Sequence, residues 1–277
     1  METRRILAAS LTGLALVAVA ACATPKEKFE RQADALGLAR ESVPGTDFEH
    51  TIYLRGISGP PELLHVYLEG DTSPRMAHRY SPPDPTPHKP VMLELMALDP
   101  SPSLLLGRPC QHGLGPACTP AIWTVERYGE RVVASLVAAL QRERQALGAQ
   151  GVVLIGYSGG GTLAMLIAER VPQTRAVITL AGNLDPERWA RHHGYAPLSG
   201  SLDPANRPPL NASIVQIHLL AGRDERVPPA LTGGVIARQQ GAATHRYDDF
   251  DHGCCWASVW PAVLAELAIG LEARPEQ

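Results

Sequence analysis

The chain has 277 residues, of which 45% are hydrophobic, and this is enough apolar material for one sizeable core or two small ones. Its 25 basic and 28 acidic residues give a formal net charge of −3, and neither sign forms a long run. This charge balance gives no support to a nucleic-acid-binding function or to an acidic partner.

The first 21 residues have the pattern of a secretory signal. Arg4 and Arg5 precede an apolar segment that ends in small residues before Cys22. The sequence Val19-Ala20-Ala21-Cys22 resembles a bacterial lipobox, which implies cleavage before Cys22 and lipidation of its thiol. The alternative is a plain transmembrane anchor, but the apolar segment is shorter than the ~20 residues that a comfortable span requires. We therefore expect an exported protein, anchored by lipid in the bacterial cell envelope and facing the periplasm or the exterior.

Residues 22–47 begin with the expected lipidation site and continue as a polar segment, which predicts a tether. Strand-like and helix-like segments then alternate to the end, which predicts one domain over residues 48–277. The predicted strands are 50–56, 63–71, 103–109, 151–157, 175–182, 214–222 and 244–250. The predicted helices are 91–99, 124–148, 161–171, 229–241 and 256–273, with a kink expected at Pro261 in the last. Apolar strands separated by helices predict an α/β fold with a mainly parallel sheet flanked by helices on both faces.

Four cysteines remain after Cys22, and export to an oxidising compartment would permit disulfides. Cys110 and Cys118 bracket a loop rich in glycine and proline, and we expect a disulfide between them. The pairing of Cys254 and Cys255 stays open, because a bridge between adjacent residues would close a small, strained ring. A metal site is disfavoured, since neither C-x-x-C spacing nor a paired histidine motif is present.

A glycine-rich segment joins the predicted strand 151–157 to the helix that follows. Gly156-Tyr157-Ser158-Gly159-Gly160 matches G-x-S-x-G, the signature of a nucleophile elbow. Flanking side chains would collide with the backbone in so tight a turn, and glycine also accepts unusual dihedral angles. We therefore expect Ser158 to be the nucleophile. The N–H groups and positive end of the helix would face a developing oxyanion.

A serine hydroxyl needs a base to remove its proton, and the base needs an orienting acid. Gly222-Arg223-Asp224-Glu225-Arg226-Val227-Pro228 resembles the G-x-x-D-x-x-V-P loop that carries the acid in α/β-hydrolases, except that Ala221 occupies the position three before the acid. His252 follows the last predicted strand, where that family places its histidine. Asp224 and His252 are therefore the expected partners of Ser158. Other candidates for the acid are Asp185 and Glu225, and for the base His245, His192 and His193; Asp248, Asp249 and Asp251 could modulate the pKa of His252.

An oxyanion hole requires two N–H donors, and Gly159, directly after the nucleophile, is expected to provide one. The second should follow the strand 63–71, where the family carries His-Gly or a similar pair. Here Glu69-Gly70-Asp71 occupies that place, and both Gly70 and Asp71 remain candidates.

The resemblance to α/β-hydrolases covers about residues 48–272 and implies a serine hydrolase, most simply of carboxylic esters. It implies a small ester or acyl substrate, no metal or organic cofactor, and no nucleic-acid partner. The loop 110–118 and an irregular insertion at 184–211 are expected to form walls of the substrate pocket. The alternatives are a peptidase or amidase with the same triad, or a non-catalytic envelope binding protein on a hydrolase fold.

Overall fold

The structure of the protein is a computed structural model that describes residues 23–72 and 84–274. The predicted signal and the predicted lipidation site Cys22 lie outside these residues. No helix in the described ranges is long and apolar enough to cross a membrane.

An eight-stranded sheet organises the described residues, with strand order β1-β2-β4-β3-β5-β6-β7-β8. β1 and β2 pair antiparallel, as do β2 and β4, and every other neighbouring pair is parallel. The strands are β1 (Ala39–Pro44), β2 (Glu49–Arg55), β3 (Leu63–Leu68), β4 (Ser103–Leu106), β5 (Gly151–Tyr157), β6 (Thr174–Leu180), β7 (Val215–Ala221) and β8 (Ala243–Tyr247). The sequence-based prediction of a mainly parallel α/β sheet is therefore confirmed.

Helices cover both faces of this sheet. They are α1 (Pro25–Ala35), α2 (Val91–Leu98), α3 (Glu130–Ala146), α4 (Gly159–Ala168), α5 (Pro186–His192), α6 (Pro229–Ile236) and α7 (Trp256–Glu272). Side chains of α3, α4 and α6 share one apolar core, and those of α1, α2 and α7 share the other. In β5, Val152 and Leu154 join the first core while Val153 and Ile155 join the second, as the alternation of side chains along a strand requires.

The predicted tether over residues 22–47 is wrong for the part that the structure describes. Residues 25–35 form helix α1, and Phe29 is buried against the rings of Tyr53 and His112. β1 then pairs along its whole length with β2, from Ala39 opposite Leu54 to Pro44 opposite Glu49. This segment is polar because β1 is an exposed edge strand, so its composition resembles that of a linker.

Smaller differences concern helix ends and loops. Helix α3 begins at Glu130 rather than at residue 124, because Gly129 is its N-cap. The insertion 184–211 contains the short helix α5 and a 3₁₀ turn at Pro204–Asn206. Helix α7 continues through Pro261.

Both disulfides of the structure lie in loops. Cys110 and Cys118 are bonded, as expected, with their Cα atoms 5.7 Å apart. The second disulfide joins the neighbours Cys254 and Cys255, a pairing that the sequence had left open.

Candidate active site

The turn between β5 and α4 holds Ser158 in a conformation that few residues adopt. Ser158 has φ 54° and ψ −119°, and this positive φ is unfavourable for a residue with a Cβ atom. The neighbouring glycines are required by space: a Cβ on Gly156 would lie 2.2 Å from the carbonyl oxygen of Gly160. A Cβ on Gly160 would lie 2.1 Å from the carbonyl oxygen of Leu68. The G-x-S-x-G spacing thus permits the close approach of β3, β5 and α4 that exposes the serine.

Ser158, His252 and Asp224 are brought together from three separate loops. The Nε2 atom of His252 lies 3.0 Å from the Oγ atom of Ser158, and its Nδ1 atom lies 2.7 Å from Oδ2 of Asp224. Asp224 and His252 are both buried. Oδ1 of Asp224 accepts hydrogen bonds from the N–H groups of Arg226 and Val227, each at 2.8 Å. The Asp224 carboxylate is therefore held in place through Oδ1 by its own loop, while Oδ2 orients the imidazole of His252.

Two side chains that sequence reasoning missed hold the backbone of His252. The Tyr157 hydroxyl and the Trp256 indole N–H each donate to the His252 carbonyl oxygen, at 3.0 Å. Oδ1 of Asp251 accepts from the N–H groups of Gly253 and Cys254, which closes the turn after the histidine. Tyr157 is the variable residue of the G-x-S-x-G motif, so the motif gave no signal for this role.

Two backbone N–H groups beside Ser158 are candidate oxyanion donors. Among the described residues, no group accepts a hydrogen bond from the N–H of Gly159 or of Asp71. The Gly70 N–H instead interacts with the carboxyl group of Glu69. Of the two candidates for the second oxyanion donor, this geometry favours Asp71. Helix α4 also begins at Gly159, so its positive end faces the same point.

Glu69 is a buried acid at the edge of the site. Its Oε1 atom accepts from the N–H of Met92 at 3.0 Å, in the first turn of α2. Burial raises the pKa of Glu69 to about 8, although the surrounding N–H donors oppose the change. Glu69 is therefore largely uncharged at neutral pH.

The Asp71 side chain belongs to a buried cluster, which we call the Asp71 clamp: Asp71, Arg108, Arg127 and Tyr128. Nη1 of Arg108 lies 2.5 Å from Oδ1 of Asp71, and Nη1 of Arg127 lies 3.2 Å from Oδ2. The Tyr128 hydroxyl donates to Oδ2 as well. Burial alone would raise the pKa of Asp71, but the two guanidinium groups outweigh it and bring the pKa to about 2.

A cavity of about 720 Å³ opens over Ser158 and His252. Its walls come from the loops after β3, β5, β7 and β8 and from the segment before α2. The ionisable side chains that line it are Glu69, Asp71, Lys89, Arg223, Glu225, Arg226 and Asp251. The predicted walls are wrong: neither 110–118 nor 184–211 contributes a lining residue. The insertion lines a separate cavity of about 400 Å³.

The alternative site residues do not join Ser158. Oδ1 of Asp185 accepts from the N–H of Arg188 at the start of α5, and Glu225 lies exposed on the cavity wall. The other histidines and aspartates have partners elsewhere: His193 with the Arg226 carbonyl, His192 with the His193 ring, His245 with Glu266, Asp248 with Arg246, and Asp249 with Arg223. No group of three or more metal-ligating side chains is arranged to hold a metal ion in the described part of the chain.

Comparison with solved structures identifies the α/β-hydrolase fold. An esterase from Pyrococcus furiosus matches 87% of this chain and 92% of its own, with 15% identity and a TM-score of 0.58. A serine hydrolase without lid from Xanthomonas campestris matches 87% of this chain and 96% of its own, with 12% identity and a TM-score of 0.55. A puromycin-hydrolysing peptidase from Mycobacterium tuberculosis has a TM-score of 0.63 and 16% identity over 87% of this chain, which corresponds to 40% of that chain. No family model matches the chain, and no curated protein matches it significantly.

Proposed function

We propose that this protein is a serine hydrolase that cleaves carboxylic esters through an acyl-enzyme. The observation that carries the proposal is the unbroken hydrogen-bond chain from Asp224 through His252 to Ser158 at the floor of an open cavity. His252 removes the Ser158 proton as Oγ attacks the ester carbonyl carbon. Asp224 stabilises the imidazolium that forms, and the N–H groups of Gly159 and Asp71 bind the oxyanion.

Collapse of the tetrahedral intermediate completes the first half of the reaction. The C–O bond to the alcohol breaks while His252 returns the proton to the leaving oxygen, and the acyl group stays on Ser158. Water then enters, His252 removes its proton, and attack on the acyl carbon releases the carboxylic acid and restores the Ser158 hydroxyl. The reaction consumes one water and needs no other reactant.

Esters are preferred over amides because an alcohol oxygen leaves a tetrahedral carbon more readily than an amide nitrogen does. The same groups would act on an amide, so a peptidase or amidase remains the second candidate, and the fold is compatible with both. A purely binding protein is disfavoured by the backbone of Ser158, since an unfavourable positive φ at a residue that lines the cavity is typical of catalytic sites.

Covalent labelling tests this proposal directly. The purified protein is treated with a fluorophosphonate probe, with Ser158→Ala as the control, and is then assayed with esters and aminoacyl amides of matched acyl groups. We expect labelling that depends on Ser158, together with faster ester than amide turnover. Labelling with turnover of amides alone would identify a peptidase, whereas absence of Ser158-dependent labelling would rule out a serine hydrolase.

We also propose that the protein is exported and anchored through lipid on Cys22. Support comes from the basic, apolar and lipobox-like order of residues 1–22. Expression of the full chain and of Cys22→Ser in a bacterial host, followed by membrane fractionation, tests the proposal. The wild type should partition with membranes and the variant should not; a variant that stays in the membrane fraction would count against lipidation.

A further inference from the structure

The Asp71 clamp contains more positive than negative charge. Two guanidinium groups surround one carboxylate, and the side chains of Arg108 and Arg127 are only 5% and 6% exposed. Tyr128 is uncharged, because burial raises the pKa of its hydroxyl far above the usual range. The neighbouring Glu69 is largely uncharged at neutral pH as well. One positive charge therefore remains uncompensated within the clamp.

The Asp71 clamp contacts the start of α4, where Gly159 carries one of the two candidate oxyanion donors. A Cβ atom on Gly159 would lie 2.5 Å from Cγ and Oδ2 of Asp71 and 2.5 Å from the Tyr128 hydroxyl. The Asp71 carboxylate and the Tyr128 hydroxyl thus contact the first residue of α4. The Asp71 side chain is thus held against the residue that carries the other candidate oxyanion donor, the N–H of Gly159.

An uncompensated buried charge is normally unfavourable, because burial removes the water that would stabilise it. The cost is offset when an opposite charge forms nearby during the reaction. The oxyanion of a tetrahedral intermediate is such a charge, and preorganised groups around it are among the largest contributors to catalysis. The position and the sign of the clamp match this requirement.

We infer that the Asp71 clamp is the support of the oxyanion hole: Arg108, Arg127 and Tyr128 hold Asp71 so that its N–H lies beside that of Gly159, and the excess positive charge stabilises the oxyanion. This inference rests on the proposed serine hydrolase function and assigns positioning roles to Arg108 and Arg127. Neither arginine is required to touch the substrate. Their effect is exerted on the tetrahedral intermediate and not on the bound ester.

A pair of variants at one position separates charge from packing. Arg127→Gln removes the charge, whereas Arg127→Lys keeps it beside Asp71. We expect Arg127→Gln to lower kcat for an activated ester about 10- to 100-fold with KM nearly unchanged, and Arg127→Lys to stay within about threefold of the wild type. Affinity for a trifluoromethyl ketone, which forms a tetrahedral oxyanion on the serine, should weaken in Arg127→Gln by the same factor as kcat.

The matched control is Asp99→Asn, which alters another buried aspartate with a tyrosine partner, away from Ser158. It should lower thermal stability without changing kcat or ketone affinity. Equal kcat in Arg127→Gln and Arg127→Lys, or an unchanged ketone affinity in Arg127→Gln, would overturn the inference.

Folding of each variant is checked by circular dichroism. If Arg127→Gln does not fold, Arg108→Gln and Arg108→Lys decide the question by the same criterion. A wild-type protein that shows neither fluorophosphonate labelling nor ester turnover would instead refute the proposed function itself, which keeps the two failures distinct.

Discussion

The two ends of the sheet each hold an aspartate in a hydrogen-bonded cluster, but the two clusters differ in their partners. Before β4, Asp99 accepts hydrogen bonds at 2.6 Å from the Tyr67 hydroxyl and from Nδ1 of His65, both on β3. Its other oxygen accepts from the N–H of Ser101, two residues away. Beyond the opposite end of β3, Asp71 pairs with Arg108 and Arg127, which are 37 and 56 residues away along the chain.

Unfavourable backbone conformations are also found at one end of the sheet only, among the described residues. Among the described residues, those with positive φ other than glycine are Cys110, His112, Ser158, Ala181 and Cys255. Each of them lies in a loop that follows the carboxyl end of β4, β5, β6 or β8. The loops at the amino ends of the strands, including the one that holds Asp99, contain none of these residues. The carboxyl ends therefore hold unfavourable conformations where the candidate chemistry lies, and the amino ends carry interactions that stabilise the fold.

The largest expected effect is at the carboxyl end. Asp224→Asn should reduce kcat for esters roughly 10³- to 10⁴-fold, because the amide favours the wrong histidine tautomer. Thermal unfolding should change little, since the Asn oxygen can still accept from the Arg226 and Val227 N–H groups. Steady-state kinetics measure the effect, with Glu225→Gln as the adjacent control. Comparable losses in both variants would refute the role of Asp224.

The second prediction uses pH to contrast the two ends. The pKa of Glu69 is raised in the folded protein from 4.5 to about 8, so its contribution to stability is present below pH 4.5 and is lost as the pH rises to about 8. This loss amounts to at most about 5 kcal/mol. The pKa of Asp99 is lowered by its hydrogen bonds to His65 and Tyr67 despite burial, so its contribution is lost only as the pH falls below 3.8.

Urea unfolding from acid to mildly alkaline pH separates these trends. We expect Glu69→Gln to flatten the decline in the free energy of unfolding between pH 4.5 and about 8. Asp99→Asn should leave that decline in place. An identical decline in wild type and Glu69→Gln would show that Glu69 does not titrate in this range.

Asp99→Asn itself should lower the free energy of unfolding by roughly 3 kcal/mol, because the neutral amide weakens a buried pair with His65. The kcat for esters should be unaffected, since Asp99 and its partners His65 and Tyr67 lie away from Ser158. Chemical unfolding and kinetics on the same preparation test both halves of the prediction. A loss of kcat at full stability would contradict the division between the two ends.

The smallest effect is expected from the loop disulfide at the carboxyl end. Replacing both Cys110 and Cys118 by serine should destabilise the protein by about 2–3 kcal/mol, because a bridge across eight residues restricts the unfolded chain. The double replacement of Cys254 and Cys255 is the control, since a bond between neighbours closes almost no loop. Differential scanning calorimetry should show the larger shift for the first pair.

The parallel core and the candidate triad could be predicted from the sequence because their signals are local. Continuous apolar residues indicate β5 and β6, and short motifs at the ends of strands, taken in chain order, indicate Ser158, Asp224 and His252. The edge strand β1 could not be predicted in this way, because only Val43 is buried and the strand depends on pairing with β2.

The Asp71 clamp was missed for a related reason. Arg108 and Arg127 lie far from Asp71 in sequence, and nothing local distinguishes them from surface arginines. The same cluster explains why the predicted start of α3 was wrong. Val125 and Tyr128 continue the apolar spacing of the helix, but Tyr128 lies before its first residue and donates to Asp71. Long-range electrostatic partners leave no periodic signal for a sequence pattern to detect.

The docking of α1 sets the reach of the proposed lipid anchor. Thr24 caps this helix and the N–H of Lys26 donates to Asp84, in the segment whose His88 and Lys89 line the cavity. Thr24, at the start of α1, lies only two residues after a lipidated Cys22. Because an extended residue spans about 3.5 Å, the distance from the acyl chain to this helix would be about 7 Å. A flexible tether over all of residues 22–47, as the sequence predicted, would have allowed the domain to move much farther from the bilayer. The short connection would instead hold α1, and the segment around Asp84 that contacts it, close to the lipid surface.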